Sequence, residues 1–154
     1  MAIKKSAIQI ILEESGKYIN KHPSFEYMPI FTDWSELNPN IQFPCISMLE
    51  RKGFSQITYC NNALEFQKNI GIFIHTNTKD KETIKNELRT YKEELILHIF
   101  KGSKNDDITE TIDTTWEFVG DDYDTLFSGT EEDKTFISNV AIIDFKVTYR
   151  ILME

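Results

Sequence analysis

Apolar positions change their spacing several times along this chain, and each change marks an element. Over residues 3–20, Ile3, Ala7, Ile10, Ile11 and Tyr18 recur near one helical face, while Lys4, Lys5, Glu13, Glu14 and Lys17 point away. This spacing predicts a first helix, which His22-Pro23 stops because a residue before proline is pushed out of the helical region. From Phe43 to Glu50 (FPCISMLE) the pattern is that of a strand, with Lys52-Gly53 as a turn or bulge. Gln56–Cys60 and Leu64–His75 continue in strand style. In the latter, Leu64, Phe66, Ile70, Ile72 and Ile74 alternate with Glu65, Gln67 and Asn69. Such a strand exceeds the usual five or six residues. Its first half, where Lys68 interrupts the apolar face, reads as part of a long hairpin arm over residues 51–69.

After a turn at Thr76–Thr78, residues 80–101 give the best helix of the chain. Ile84, Leu88, Tyr91, Leu95 and Ile99 share one face, Asp80 or Thr78 serves as N-cap, and Gly102 stands where a C-cap glycine belongs. Thr114–Val119 reads as a short strand with Trp116 and Phe118 on one face. Phe136–Leu152 reads as a strong one, in which Phe145, Val147, Tyr149 and Ile151 alternate with Asp144, Lys146, Thr148 and Arg150. The expected fold is a single α+β domain over residues 1–154. Its sheet is mostly antiparallel, with four or more strands and a long β-hairpin, and two main helices flank it.

All four prolines, at 23, 29, 39 and 44, fall in one stretch that also holds Phe25, Tyr27, Phe31 and Trp34. So many aromatics point to a segment that packs onto something. Charge is just as uneven. The 154 residues carry 17 Lys and Arg against 25 Asp and Glu, a net charge of −8. That balance argues against general binding to duplex DNA or to an anionic membrane surface. Residues 105–133, however, contain Asp106, Asp107, Glu110, Asp113, Glu117, Asp121, Asp122, Asp124, Glu131, Glu132 and Asp133, and no Lys or Arg. The remainder of the chain is slightly basic. No stretch approaches 18 consecutive apolar residues, and the start lacks the layout of a signal peptide. Cys45 and Cys60 are too few for a disulfide scaffold or a cysteine-rich zinc site. These features suit a protein made and kept in cytoplasm.

The search for catalytic motifs is mostly negative: there is no nucleophile elbow, P-loop, dinucleotide fingerprint or zincin motif. His22, His75 and His98 are scattered, and His98 near a helix end suits a bond to free carbonyls. Two acidic features stand out. Asp121, Asp122 and Asp124 (GDDYD) resemble a hard-cation ligand set, without the spacing of an EF-hand; a solvated loop is the simpler reading. Asp144-Phe145-Lys146 sets an acid and a lysine on one strand face, as in some metal-dependent nucleases that take another acid from a neighbouring strand, here Asp113 or Glu117. The polar face of an alternating strand explains the same residues.

The order of elements resembles that of the tail terminator, or tail completion, proteins of long-tailed bacteriophages. The likeness rests on the last strand, Ser138 to Arg150 (SNVAIIDFKVTYR), closing on Tyr149. It also rests on the proline-led FPCISM strand, the IGIFIHT strand before the main helix, and the acidic aromatic hairpin with Trp116, Glu117 and Phe118. Neck and head–tail connector proteins share a similar build. The resemblance implies a non-enzymatic virion protein without cofactors, assembled in the host cytoplasm. It would form a ring, typically a hexamer, on the end of the tail tube, stop tube polymerisation and offer the head a docking surface. Its partners would be further copies of itself, the tail tube protein and a head-completion or neck connector protein. DNA would only pass through the lumen, and no membrane is involved. On this view Asp106, Asp107, Glu110, Asp121, Asp122 and Asp124 line the lumen or face a basic partner. Phe25, Tyr27, Phe31, Trp34, Arg51, Phe54 and Lys68 are the candidates for the contact between subunits. A metal-dependent nuclease-like enzyme and a small cytoplasmic binding domain are the alternatives.

Overall fold

A computed structural model describes residues 5–32, 41–52, 56–78 and 80–152. Two helices, α1 (Ala7–Ile19) and α2 (Lys81–Lys104), accompany six strands: β1 (Ile30–Phe31), β2 (Cys45–Glu50), β3 (Gln56–Cys60), β4 (Ala63–Thr76), β5 (Thr114–Ser128) and β6 (Thr135–Leu152). The strands form one sheet in the order β1-β2-β4-β6-β5, and β3 pairs with the first part of β4. All pairings are antiparallel except β1 with β2. The expected α+β class is therefore the observed one.

Each helix starts where a side chain can take up an unpaired backbone N–H. The Ser6 hydroxyl accepts from the Gln9 N–H at 3.2 Å, and Asp80 accepts from the Glu82 N–H and the Thr83 hydroxyl. The predicted end of α2 was wrong. The helix runs past Gly102 to Lys104 and closes with Asp106 in the left-handed region, φ 55°. The Asp107 N–H returns to the Gly102 carbonyl at 2.8 Å and the Asp106 N–H to Ser103, which is the double bond pattern of a Schellman ending. Gly102 has another reason to be glycine. A Cβ there would stand 2.5 Å from the Tyr18 ring and 2.7 Å from Ile108. The missing side chain lets α1 and α2 close. The Tyr18 hydroxyl then donates to the His98 carbonyl at 2.6 Å, and the two rings stack with centroids 4.1 Å apart. The His98 Nε2 is 2.9 Å from the Tyr18 carbonyl, so His98 serves a carbonyl at the end of α1, not of its own helix. Burial, with His22 and two lysines nearby, holds its pKa below the usual histidine value against the pull of that carbonyl.

The core lies between the helices and one sheet face. Ile11, Ile19, Leu95 and Ile99 from the helices meet Ile46, Met48, Ile70, Ile72, Ile143 and Phe145 from the strands. The central strands β4 and β6 are aligned over 14 residues, from Ala63↔Leu152 to Thr76↔Asn139. β4 is buried on both faces from Ile70 to Thr76, so its alternation fades there.

β5 is far longer than the predicted 114–119. It runs 15 residues and absorbs the whole GDDYD sequence into the sheet. Acids are poor strand formers, but an edge position with water on one side tolerates them, and the 18-residue β6 supplies the ladder. A bulge between Phe118 and Gly120 resets the register. It turns Asp121 to the same side as α2, where its carboxylate meets Lys92 at 3.3 Å.

Candidate assembly surfaces

The first part of β4, the end of β6 and all of β3 form a three-stranded arm. Its residues line up in rows: Tyr59, Leu64 and Ile151 in one, Ile57, Phe66 and Tyr149 in the next. Alternation puts both rows on the same side as Ile70 and Ile72, the core side. Toward the centre of the sheet this face is covered, and Tyr149 is buried. Toward the tip it is not: Ile57 is 57% exposed, Tyr59 68% and Ile151 40%. The reverse face is polar, with the Arg150 guanidinium bonded to Glu65 at 2.9 Å. Where the arm meets the domain, a groove of about 820 Å³ opens between Ala7, Ile10, Ile112, Tyr149 and Ile151. The arm is thus an amphipathic sheet whose apolar face continues the core beyond its helical cover.

The subunit-contact candidates divide. Phe25 is fully buried against Tyr91 and His22, so it belongs to the core and not to a surface. Its neighbour Tyr27 is 82% exposed. Phe31 lies in β1, beside Ser47 of β2. Arg51 sits at the root of the arm, 3.2 Å from Asp144 and over the Phe73 ring. Lys68 is largely covered and pairs with Glu50 at 3.1 Å, so its charge is spent inside the arm. Trp34 and Phe54 lie outside the described residues.

The acids also divide. Asp106, Asp107, Glu110 and Asp113 occupy the exposed loop between α2 and β5. This loop is tied down by Glu14, whose carboxylate accepts the N–H groups of Glu110 and Thr111 and the Thr111 hydroxyl at 2.7 Å. Burial opposes ionisation of Glu14, but these bonds outweigh it and its pKa falls. Asp121, Asp122 and Asp124 lie on β5. Asp122 and Asp124 each accept, at 2.8 Å, the N–H of the next residue, Tyr123 and Thr125. Two donors of the edge strand are therefore engaged by the strand's own carboxylates. The loop expected for GDDYD is corrected here: these acids are an edge strand.

The acid-x-lysine pair does not assemble into a metal site. Lys146 binds Glu117 at 3.0 Å, Asp144 turns to Arg51, and Asp113 stays in the loop before β5. Among the described residues, no group of three or more His, Cys, Asp or Glu could hold a metal ion.

One constellation escaped sequence reading. On the face away from the core, the His75 Nε2 lies 2.9 Å from the Ser47 hydroxyl and its Nδ1 2.8 Å from the Ser138 hydroxyl. All three residues are fully buried. They come from β2, β4 and β6, so only the strand register brings them together, and no short motif could have announced them. Burial pushes the His75 pKa down to about 4, and that of the neighbouring Cys45 thiol up to about 12. A neutral imidazole between two hydroxyls, closed to solvent, joins strands. It cannot meet a substrate.

No described helix is long and apolar enough to cross a membrane. No protein-family model matches the sequence, and no curated protein matches it.

Proposed function

We propose that this chain is a structural protein of a long-tailed bacteriophage virion, a tail terminator or closely related neck protein that works by assembling into a ring. The observation that carries this reading is the arm. It is a three-stranded extension of the sheet whose apolar face is left uncovered, and rows of exposed apolar side chains are characteristic of contact surfaces. The element order shared with that family supports the same conclusion, since a proline-led strand, a long hairpin, a main helix and an acidic hairpin precede the last strand. In this role the ring caps the tail tube, a head-completion or connector ring docks on its other side, and DNA passes through the lumen. The exposed acids of the 105–113 loop suit a channel wall or a basic partner ring, because like charge keeps DNA from adhering.

Sedimentation of the purified protein, alone and with tail tube protein, tests the reading. A ring in either condition, with a central hole visible by negative-stain electron microscopy, is the expected result. A monomer in both conditions overturns it.

A further inference from the structure

Two apolar patches lie on different margins of the sheet, one on the arm and one along β5, and their surroundings carry opposite charge. The first is the arm face with Ile57, Tyr59 and Ile151. Around the arm Arg51 pairs with Asp144, Lys68 with Glu50 and Arg150 with Glu65, which leaves Lys52 as the uncompensated charge among the described residues. The second patch follows the seam between α2 and β5. Ser103 of α2 bonds to the Trp116 backbone and Lys92 pairs with Asp121, so the helix tracks the strand between those points. Phe100 of α2, and Phe118 and Val119 of β5, fall within that stretch, and all three are exposed. β5 carries Glu117, Asp121, Asp122 and Asp124 and no base. Lys146 and Lys92 neutralise the first two, whereas Asp122 and Asp124 meet no Lys or Arg among the described residues.

From this complementarity we infer that the arm of one copy seats on the α2–β5 seam of the next copy. Apolar rows meet apolar rows, and the basic root of the arm meets the uncompensated acids of β5. The two patches differ, so the contact is heterologous, and repeating it about a rotation axis closes a ring. A two-fold contact is disfavoured by charge: arm on arm opposes Lys52 to Lys52, and seam on seam opposes Asp122 and Asp124 to the same acids. The engaged N–H groups of Tyr123 and Thr125 favour a contact through side chains over one that adds a strand to β5. The inference rests on the ring reading above and names the contact that builds the ring.

Two charge-reversed variants test it: Arg51→Glu with Lys52→Glu in the arm, and Asp122→Lys with Asp124→Lys in β5. Their assembly is followed by sedimentation beside the wild type, under the conditions in which the wild type assembles, with circular dichroism to verify folding. Each variant alone is expected to assemble about tenfold more weakly or not at all, since like charges then face each other. An equimolar mixture is expected to recover the wild-type assembly, because in an alternating ring every arm meets a seam of opposite charge. Arg51 also pairs with Asp144, so Ile57→Ser with Tyr59→Ser repeats the arm test at exposed positions alone. That variant should fail to assemble even in the mixture. A wild type that assembles while the reversed variants assemble equally well, or while their mixture stays monomeric, overturns this contact and leaves the ring reading intact. A wild type that is monomeric both alone and with tail tube protein overturns both.

Discussion

The arm and β5 are both margins of one sheet, and they treat exposure in opposite ways. β5 is fastened inward by Trp116, which is 6% exposed and edge-on to Phe145 with ring centroids 5.8 Å apart. Its outward part is acidic, and Asp122 and Asp124 occupy the N–H groups of their neighbours. The arm has neither device. Its apolar face runs out past the helices uncovered, and on the polar side Arg150 pairs with Glu65. Natural sheets blunt their edges to prevent unwanted association. A sheet that blunts one margin and leaves another apolar separates a surface to be kept free of strand pairing from a surface meant to be covered.

The largest expected effect measures how differently the two margins are anchored. Trp116→Ala removes a buried indole whose Nε1 donates to the Thr114 hydroxyl at 3.0 Å. It should cost about 3–5 kcal/mol in urea unfolding of the isolated chain. Ile57→Ala in the arm should cost about 0.5 kcal/mol or less, because the side chain is already in water. Equal losses would mean that the arm is part of the core and not a free surface.

Acid should act on neither margin but on the centre between them. His75 has a folded pKa of about 4 against an ordinary value of 6.5, so the folded state binds fewer protons than the unfolded chain in that interval. The stabilisation is complete above pH 6.5 and is lost as pH falls toward 4, for a total of about 3 kcal/mol. Urea midpoints at pH 7 and pH 4.5 measure this. A His75→Asn variant should be less stable at pH 7 and show a flatter dependence between the two. An unchanged dependence would move the cause to other groups.

The contrast between the margins was only half legible in the sequence. The hairpin arm followed from the alternation of Leu64, Phe66, Glu65 and Gln67, because strand periodicity is local information. Its exposure did not, since coverage by a helix is decided elsewhere in the chain. The other margin was misread because Asp121, Asp122 and Asp124 carry loop propensity and Gly120 precedes them. Their strand state comes from β6, whose long apolar alternation offers a partner for every residue of β5. Phe25 was misplaced for a similar reason: an aromatic in a proline-rich stretch looks the same whether it packs on Tyr91 or on a neighbour. The Ser47–His75–Ser138 chain exists only in the register of three strands.

A smaller effect is expected where β5 is approached from α2. Asp106 holds a left-handed conformation, which glycine adopts without strain. Asp106→Gly should therefore raise stability by about 0.5–1 kcal/mol in thermal or urea unfolding. It also removes a loop acid, so a ring that forms normally but retains DNA more strongly would tie this residue to the lumen. A loss of stability would show that the Asp106 side chain contributes to the fold beyond the backbone conformation it holds.

The smallest effect on folding should come from the acids that guard β5. Asp122→Thr with Asp124→Thr keeps the strand and improves its propensity, so the unfolding free energy should change by about 0.5 kcal/mol or less. The two mutations free the N–H groups of Tyr123 and Thr125 and leave Phe118, Val119 and Phe127 beside an edge that has lost its two unpaired charges. Light scattering and thioflavin binding should then rise with time at concentrations where the wild type stays clear. The reverse substitution in the arm, Thr58→Asp, should not increase scattering, because it adds a charge to an edge that has no such guard to lose. A β5 variant as free of aggregation as the wild type would leave these acids a single role, that of charge offered to the arm of the neighbouring copy. An aggregating one would show that they also keep the free edge closed until that arm arrives.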